Sequence, residues 1–158
     1  MPVIPTLTRR GALAATGLLL VPVLLPLRSA RASVVYVEDA VAIDGSDTVA
    51  YFDNAGPVAG DPAITHVWNG ATWRFATTAN RDAFAADPER WAPQYGGYCA
   101  FAMSRGDVAS TVPEAWTLEG GKLYLNYSLQ VRDLWDQERA ANIVLADGFW
   151  PEVRQTLL

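Results

Sequence analysis

Only one cysteine, Cys99, and one histidine, His66, occur in the 158 residues. A lone cysteine excludes a disulfide within the chain. A lone histidine excludes a type-1 copper site, which takes two histidines and a cysteine. No apolar run reaches the roughly 20 residues that a spanning helix needs. The longest, Ala12 to Leu27, has 16 residues and is broken by Pro22 and Pro26. Bases are scarce too: 12 Lys and Arg stand against 17 Asp and Glu. Internal repeats and low-complexity tracts are absent.

What is present begins with a leader. Thr8-Arg9-Arg10-Gly11 precedes the apolar run, and Arg28-Ser29-Ala30-Arg31-Ala32-Ser33 follows it. A charged start, a short apolar stretch and a small-residue A-x-A site make an export signal. The paired arginines point to the twin-arginine route, with the twin-arginine translocase as partner and the periplasm as destination. Cleavage after Ala32 divides the chain into a signal peptide, 1–32, and a domain, 33–158. The uncleaved alternative, a membrane anchor, is disfavoured by length and by the two prolines. All 17 acids fall in the domain with only eight bases, a net charge of −9. Such a surface argues against nucleic acid and anionic lipid as partners. Its length suits one core.

Asn69-Gly70 is the clearest local signal. Both positions of a type I′ turn need positive φ, so this pair predicts a hairpin. The register then sets Trp68 against Ala71, Val67 against Thr72 and His66 against Trp73. His66, Trp68, Trp73 and Phe75 share one face. A second hairpin is expected around Gly120-Gly121, with Glu119 opposite Lys122 and with Trp116, Leu118, Leu123 and Leu125 on one face. Thr77 or Thr78 caps a helix to about Ala86. Asp87-Pro88 opens a short one, with Asp as cap and Pro at the first position. Ser128 caps a long last helix, with Val131, Leu134, Trp135, Ala141 and Leu145 as its inward stripe, ending at Gly148. Two hairpins among helices, without β-α-β alternation, give an α+β fold.

Three stretches resemble the YHS domain family. Asp47-Thr48-Val49-Ala50-Tyr51-Phe52 stands where members begin D-P-V-C-G-M. Trp73 to Phe84 matches an aromatic-F-C-S stretch with a second Cys four residues on. Asp87-Pro88-Glu89-Arg90-Trp91 matches the closing (D/N)-P-E-(K/R)-(Y/W). The resemblance covers Ile43 to Trp91, and the chain looks like the exported, single-domain subgroup. It implies a YHS-like fold. Cysteine-rich members are associated with heavy metals, including copper. Here Ala50, Ala76 and Asn80 replace the thiols, so that metal site does not carry over.

Chemistry then rests on Cys99, in Tyr95-Gly96-Gly97-Tyr98-Cys99-Ala100-Phe101-Ala102-Met103. Three roles stay open. It can be a buried packing residue. It can be a soft metal ligand, with His66 and Met103, for copper or a similar ion; zinc would need carboxylates such as Asp47 or Asp53. Or it can be a catalytic redox thiol, if a helix starting near Tyr98 stabilises a thiolate. A Cys–His pair oriented by Asn126 is a fourth, weaker pattern. Asp44, Asp47 and Asp53 read as turn and cap residues. The leading expectation is an accessory module handling a metal ion or a redox partner through Cys99. The alternatives are a Cys-dependent redox enzyme, and a structural or partner-binding domain without chemistry.

Overall fold

The computed structural model describes residues 33–53 and 56–158. The leader expected over 1–32 lies outside the described residues. What is described is a small mixed α+β domain with two sheets and five helices.

The first sheet has four strands in the order β1-β2-β4-β3. These are β1 (Val37–Glu38), β2 (Val41–Ala42), β3 (Asp61–Trp68) and β4 (Ala71–Phe75). The Asn69-Gly70 hairpin forms with the expected register: Trp68 faces Ala71, Val67 faces Thr72 and His66 faces Trp73. Asn69 and Gly70 both have positive φ. β3 starts four residues earlier than the hairpin pattern predicts. A bulge between Asp61 and Thr65 absorbs the mismatch, and Pro62 is tolerated because β3 is the edge strand. One pair, β2 with β4, is parallel, which the two-hairpin expectation did not include.

Helices α1 (Thr78–Ala86) and α2 (Pro88–Trp91) follow. Thr77 caps the first through Asn80 N, and Asp87 caps the second through Arg90 N, as expected. Phe84 is the buried residue of α1 and lies against Trp68, Trp73 and Phe75.

A short α3 (Ala100–Met103) precedes the second sheet, β5 (Val112–Glu119) with β6 (Lys122–Asn126). Glu119 faces Lys122, Leu118 faces Leu123 and Trp116 faces Leu125. Alternation along β6 gives it two roles. Leu123 and Leu125 belong to a first core with Trp73, Phe75, Phe84, Tyr51 and Ile43. Tyr124, one residue out of phase, belongs to a second core with Tyr95, Met103, Trp135 and Ala146. β6 is thus the wall between two cores.

The carboxyl end corrects one expectation. Two helices stand where one was predicted: α4 (Leu129–Gln137) and α5 (Arg139–Thr156). Ser128 does cap α4, accepting from Val131 N. Glu138, at φ −131° and ψ 42°, breaks the run and shifts the helical phase. Trp135 is buried as expected, but Leu134, Ala141 and Leu145 point outward. Asn142, Ala146, Ile143, Trp150 and Val153 take the inward stripe. That stripe continues past Gly148 and Pro151, so burial on both sides carries the helix through two weak helix formers.

Candidate functional site

Cys99 is the residue before α3 and occupies its N-cap position. It is 1% exposed. A cap residue ordinarily offers a side-chain oxygen to an orphan amide of the first turn. Cys99 does not. A residue of β6 does it instead: Asn126 Oδ1 accepts from Phe101 N at 3.1 Å. The same oxygen receives the Cys99 thiol, at 3.6 Å. Asn126 is fully buried, on the second-core side of the wall. The Cys99 amide donates to Ala109 O at 3.0 Å, and its carbonyl accepts from Met103 N at 2.9 Å.

In this arrangement the sulfur is the donor and Oδ1 the acceptor.

The two glycines before Cys99 have a packing role. Tyr95, Gly96 and Gly97 all have positive φ. A Cβ on Gly96 would sit 1.9 Å from Val34 O. The Gly96 carbonyl accepts from Tyr36 N at 2.9 Å. The loop is therefore shaped to admit the backbone of residues 34–36.

His66 is elsewhere. It is half-buried on β3 and meets Phe84 edge-on, at 6.0 Å between ring centres, rather than stacking on Trp73. β3 packs on β4 and α1, whereas α3 packs on α4, α5 and β6. The structure brings Cys99, Met103 and Asn126 together around α3 and leaves His66 on the first core. Among the described residues, no three His, Cys, Asp or Glu side chains form a group that could hold a metal.

A second cluster gathers the positions at which the YHS resemblance places thiols. Asp47 is fully buried. Its Oδ1 accepts from Val49 N at 2.9 Å and Ala50 N at 3.3 Å. Its Oδ2 accepts from Ala76 N at 2.8 Å and Asn80 Nδ2 at 2.7 Å. Ala50, Ala76 and Asn80 thus meet at one carboxylate. Two methyl groups and an engaged carboxamide offer no soft donor, so a soft metal ion does not fit there. Asp47 is a turn and cap residue, as expected, and it also ties α1 to the loop.

The clefts do not reach Cys99, His66 or Asp47. A cleft of about 500 Å³ is lined by Trp68, Trp73, Tyr95 and Trp150, with Glu89 and Arg154 among its polar groups. Cys99, His66 and Met103 line neither it nor two further clefts beside α5. Two buried phenols, one in each core, bond to distant segments. Tyr95 donates to Asp147 Oδ1 at 2.9 Å, and burial followed by that carboxylate pushes its ionisation well above the ordinary tyrosine range. Tyr51 donates to Pro113 O at 3.1 Å and is pushed up chiefly by burial.

No family model, no curated protein and no solved structure matches the chain.

Proposed function

We propose that this chain is an exported YHS-type domain that acts as a partner-binding accessory module, without chemistry at Cys99. The observation that carries the reading is the burial of Cys99 with its thiol given to Asn126 Oδ1. A nucleophile or metal ligand needs a thiolate that something can reach. Here reaching the sulfur would require α3 to separate from β6.

The YHS assignment is supported by the knot at Asp47. Three positions distant in sequence, singled out by the resemblance, meet on one carboxylate. Export rests on the paired arginines and the A-x-A site of residues 1–32. Binding in place of chemistry is supported by where apolar residues stand. Leu134, Val144, Leu145 and Phe149 are exposed on α4 and α5, and large exposed apolar groups in one region mark interaction surfaces.

The test is metal analysis of protein isolated from the periplasm, beside a Cys99→Ser variant. The expected result is no stoichiometric metal in either, with both recovered from the same compartment. Copper or another soft ion bound one-to-one, and lost in Cys99→Ser, would overturn the reading in favour of a metal module. Recovery of both proteins only from the cytoplasm would overturn the export part.

A further inference from the structure

The cleft of about 500 Å³ draws its aromatic lining from both cores: Trp68 and Trp73 from the first, Tyr95 and Trp150 from the second. Trp73 and Tyr95 are buried, and their polar ends are engaged elsewhere. Trp73 Nε1 donates to Trp68 O at 3.2 Å, and Tyr95 donates to Asp147 Oδ1 at 2.9 Å. Trp68 and Trp150 are half-buried, so each keeps part of its indole in the cleft. Both indoles are held by other aromatic rings. Trp68 meets Phe84 edge-on at 5.8 Å between ring centres, and Trp150 meets Tyr95 at 6.1 Å. The aromatic walls are therefore fixed before any ligand arrives, which lowers the ordering cost of binding.

Asn69, Glu89, Gln94 and Arg154 supply the polar side chains of the lining. All four end in a planar amide, carboxylate or guanidinium group. Among the described residues, no ion pair engages Glu89 or Arg154, although the two share one cleft. The lining thus carries one negative and one positive charge, balanced in a strongly acidic chain. Both of these residues are exposed, so an ion pair between either and a ligand is screened and weak. Charge therefore does little to select the ligand, and stacking and hydrogen bonding select it. Aromatic walls with a few convergent polar groups, at a volume within the roughly 300–1,000 Å³ of small-molecule sites, make a ligand cleft.

We infer that this cleft binds a neutral carbohydrate, with a pyranose ring against the indoles of Trp68 and Trp150 and its hydroxyls on the planar polar groups. The C–H face of a sugar ring is apolar and slightly positive, and the face of an indole is apolar and negative. Each sugar hydroxyl both donates and accepts. Amides, a carboxylate and a guanidinium together offer both kinds of partner, and none of them requires a charge on the ligand. An aliphatic ligand would leave the polar groups unused. A cleft this open, with two exposed charges at its edge, holds its ligand weakly, with a dissociation constant of about 1 mM.

Cys99 does not line the cleft. A reactive or metal-loaded Cys99 would therefore leave sugar binding untouched, and a lack of sugar binding would leave Cys99 sealed. The test follows the tryptophan fluorescence of the full chain. The probes are glucose, N-acetylglucosamine, cellobiose and N,N′-diacetylchitobiose, with phenylalanine as a zwitterionic comparison. The variants are Trp150→Phe, Gln94→Ala and, as a control, Val144→Ala. Val144 is 72% exposed on α5 and lines none of the three clefts. The expected result is a saturable change with at least one sugar, unaltered in Val144→Ala. Trp150→Phe and Gln94→Ala each weaken it at least about threefold, as loss of a stacking surface or a hydrogen-bonding group does. Gln94→Ala alters a half-buried polar group outside both cores, and unchanged circular dichroism shows that its fold is intact. No saturable change with any of the four sugars overturns the inference. So does sugar binding that neither variant weakens, or tighter binding of phenylalanine than of every sugar.

Discussion

The Cys99 thiol and the Asn126 carboxamide oxygen lie 3.6 Å apart, and the Phe101 amide reaches the same oxygen at 3.1 Å. One side chain of β6 thereby supplies the cap that Cys99 does not. The contact joins α3 to the wall between the cores. It makes Cys99 the lesser member of the pair: Asn126 serves two donors, while the thiol serves none.

Removing Asn126 is accordingly the costlier change. Asn126→Leu leaves the Phe101 amide and the thiol buried without an acceptor, and the expected loss is about 2–3 kcal/mol. Cys99→Ala keeps the Phe101 bond and removes one small apolar group, a loss of about 1 kcal/mol. Urea unfolding of the two variants checks the order. If Cys99→Ala costs more than Asn126→Leu, Asn126 is not the cap described here.

The Asp47 carboxylate holds four donors from three segments. Asp47→Ala leaves all four unmatched in the interior and is expected to cost about 4 kcal/mol or more. Asn80→Ala removes one donor at the edge of the cluster and costs about 1 kcal/mol. Thermal unfolding followed by near-ultraviolet circular dichroism reads both. Equal, small shifts in the two variants would contradict the knot.

Alkali should expose the buried phenols of Tyr51 and Tyr95. Tyr51 and Tyr95 keep their protons in the fold well above the ordinary range, first because of burial. In the unfolded chain each ionises near pH 10. Above that pH the unfolded state binds fewer protons than the folded one, so stability falls as pH rises. These phenols contribute no pH dependence below about pH 9. Above pH 10 each steepens the decline by about 1.4 kcal/mol per pH unit. Urea titrations from pH 7 to 11 measure this. Tyr95→Phe is expected to lessen the added slope, and an unchanged slope would contradict the role given to burial at Tyr95.

Much of this architecture is legible in local chemistry. Asn69-Gly70, Thr77, Asp87-Pro88 and Ser128 each act through atoms within a few residues, and each forms as its type dictates. Helical phase is not local. Glu138 breaks the carboxyl run, and nothing in the residue type announces it, so the stripe through Leu134 and Leu145 turns outward. Gly96-Gly97 shows the same limit. The pair signals positive φ, but its purpose depends on Val34, some 60 residues away in the chain. The candidate site divides in the same way. Cys99 before a helix start is visible in sequence. Its pairing with Asn126 needs the alternation of β6, which puts Asn126 and Tyr124 on the face opposite Leu123 and Leu125. That alternation separates Asn126 from the first core, where His66 meets Phe84.

The account turns on whether Cys99 is sealed, and thiol labelling measures that directly. Iodoacetamide is added to the native protein across a series of urea concentrations below the unfolding transition, and modification of Cys99 is followed by mass. The predicted result is negligible labelling in buffer, with a rate that rises in step with the unfolded fraction, because the thiol is reached only when the fold opens. Rapid one-to-one labelling in buffer, at the rate of the unfolded chain or faster, would contradict the account and return Cys99 to the reactive thiols.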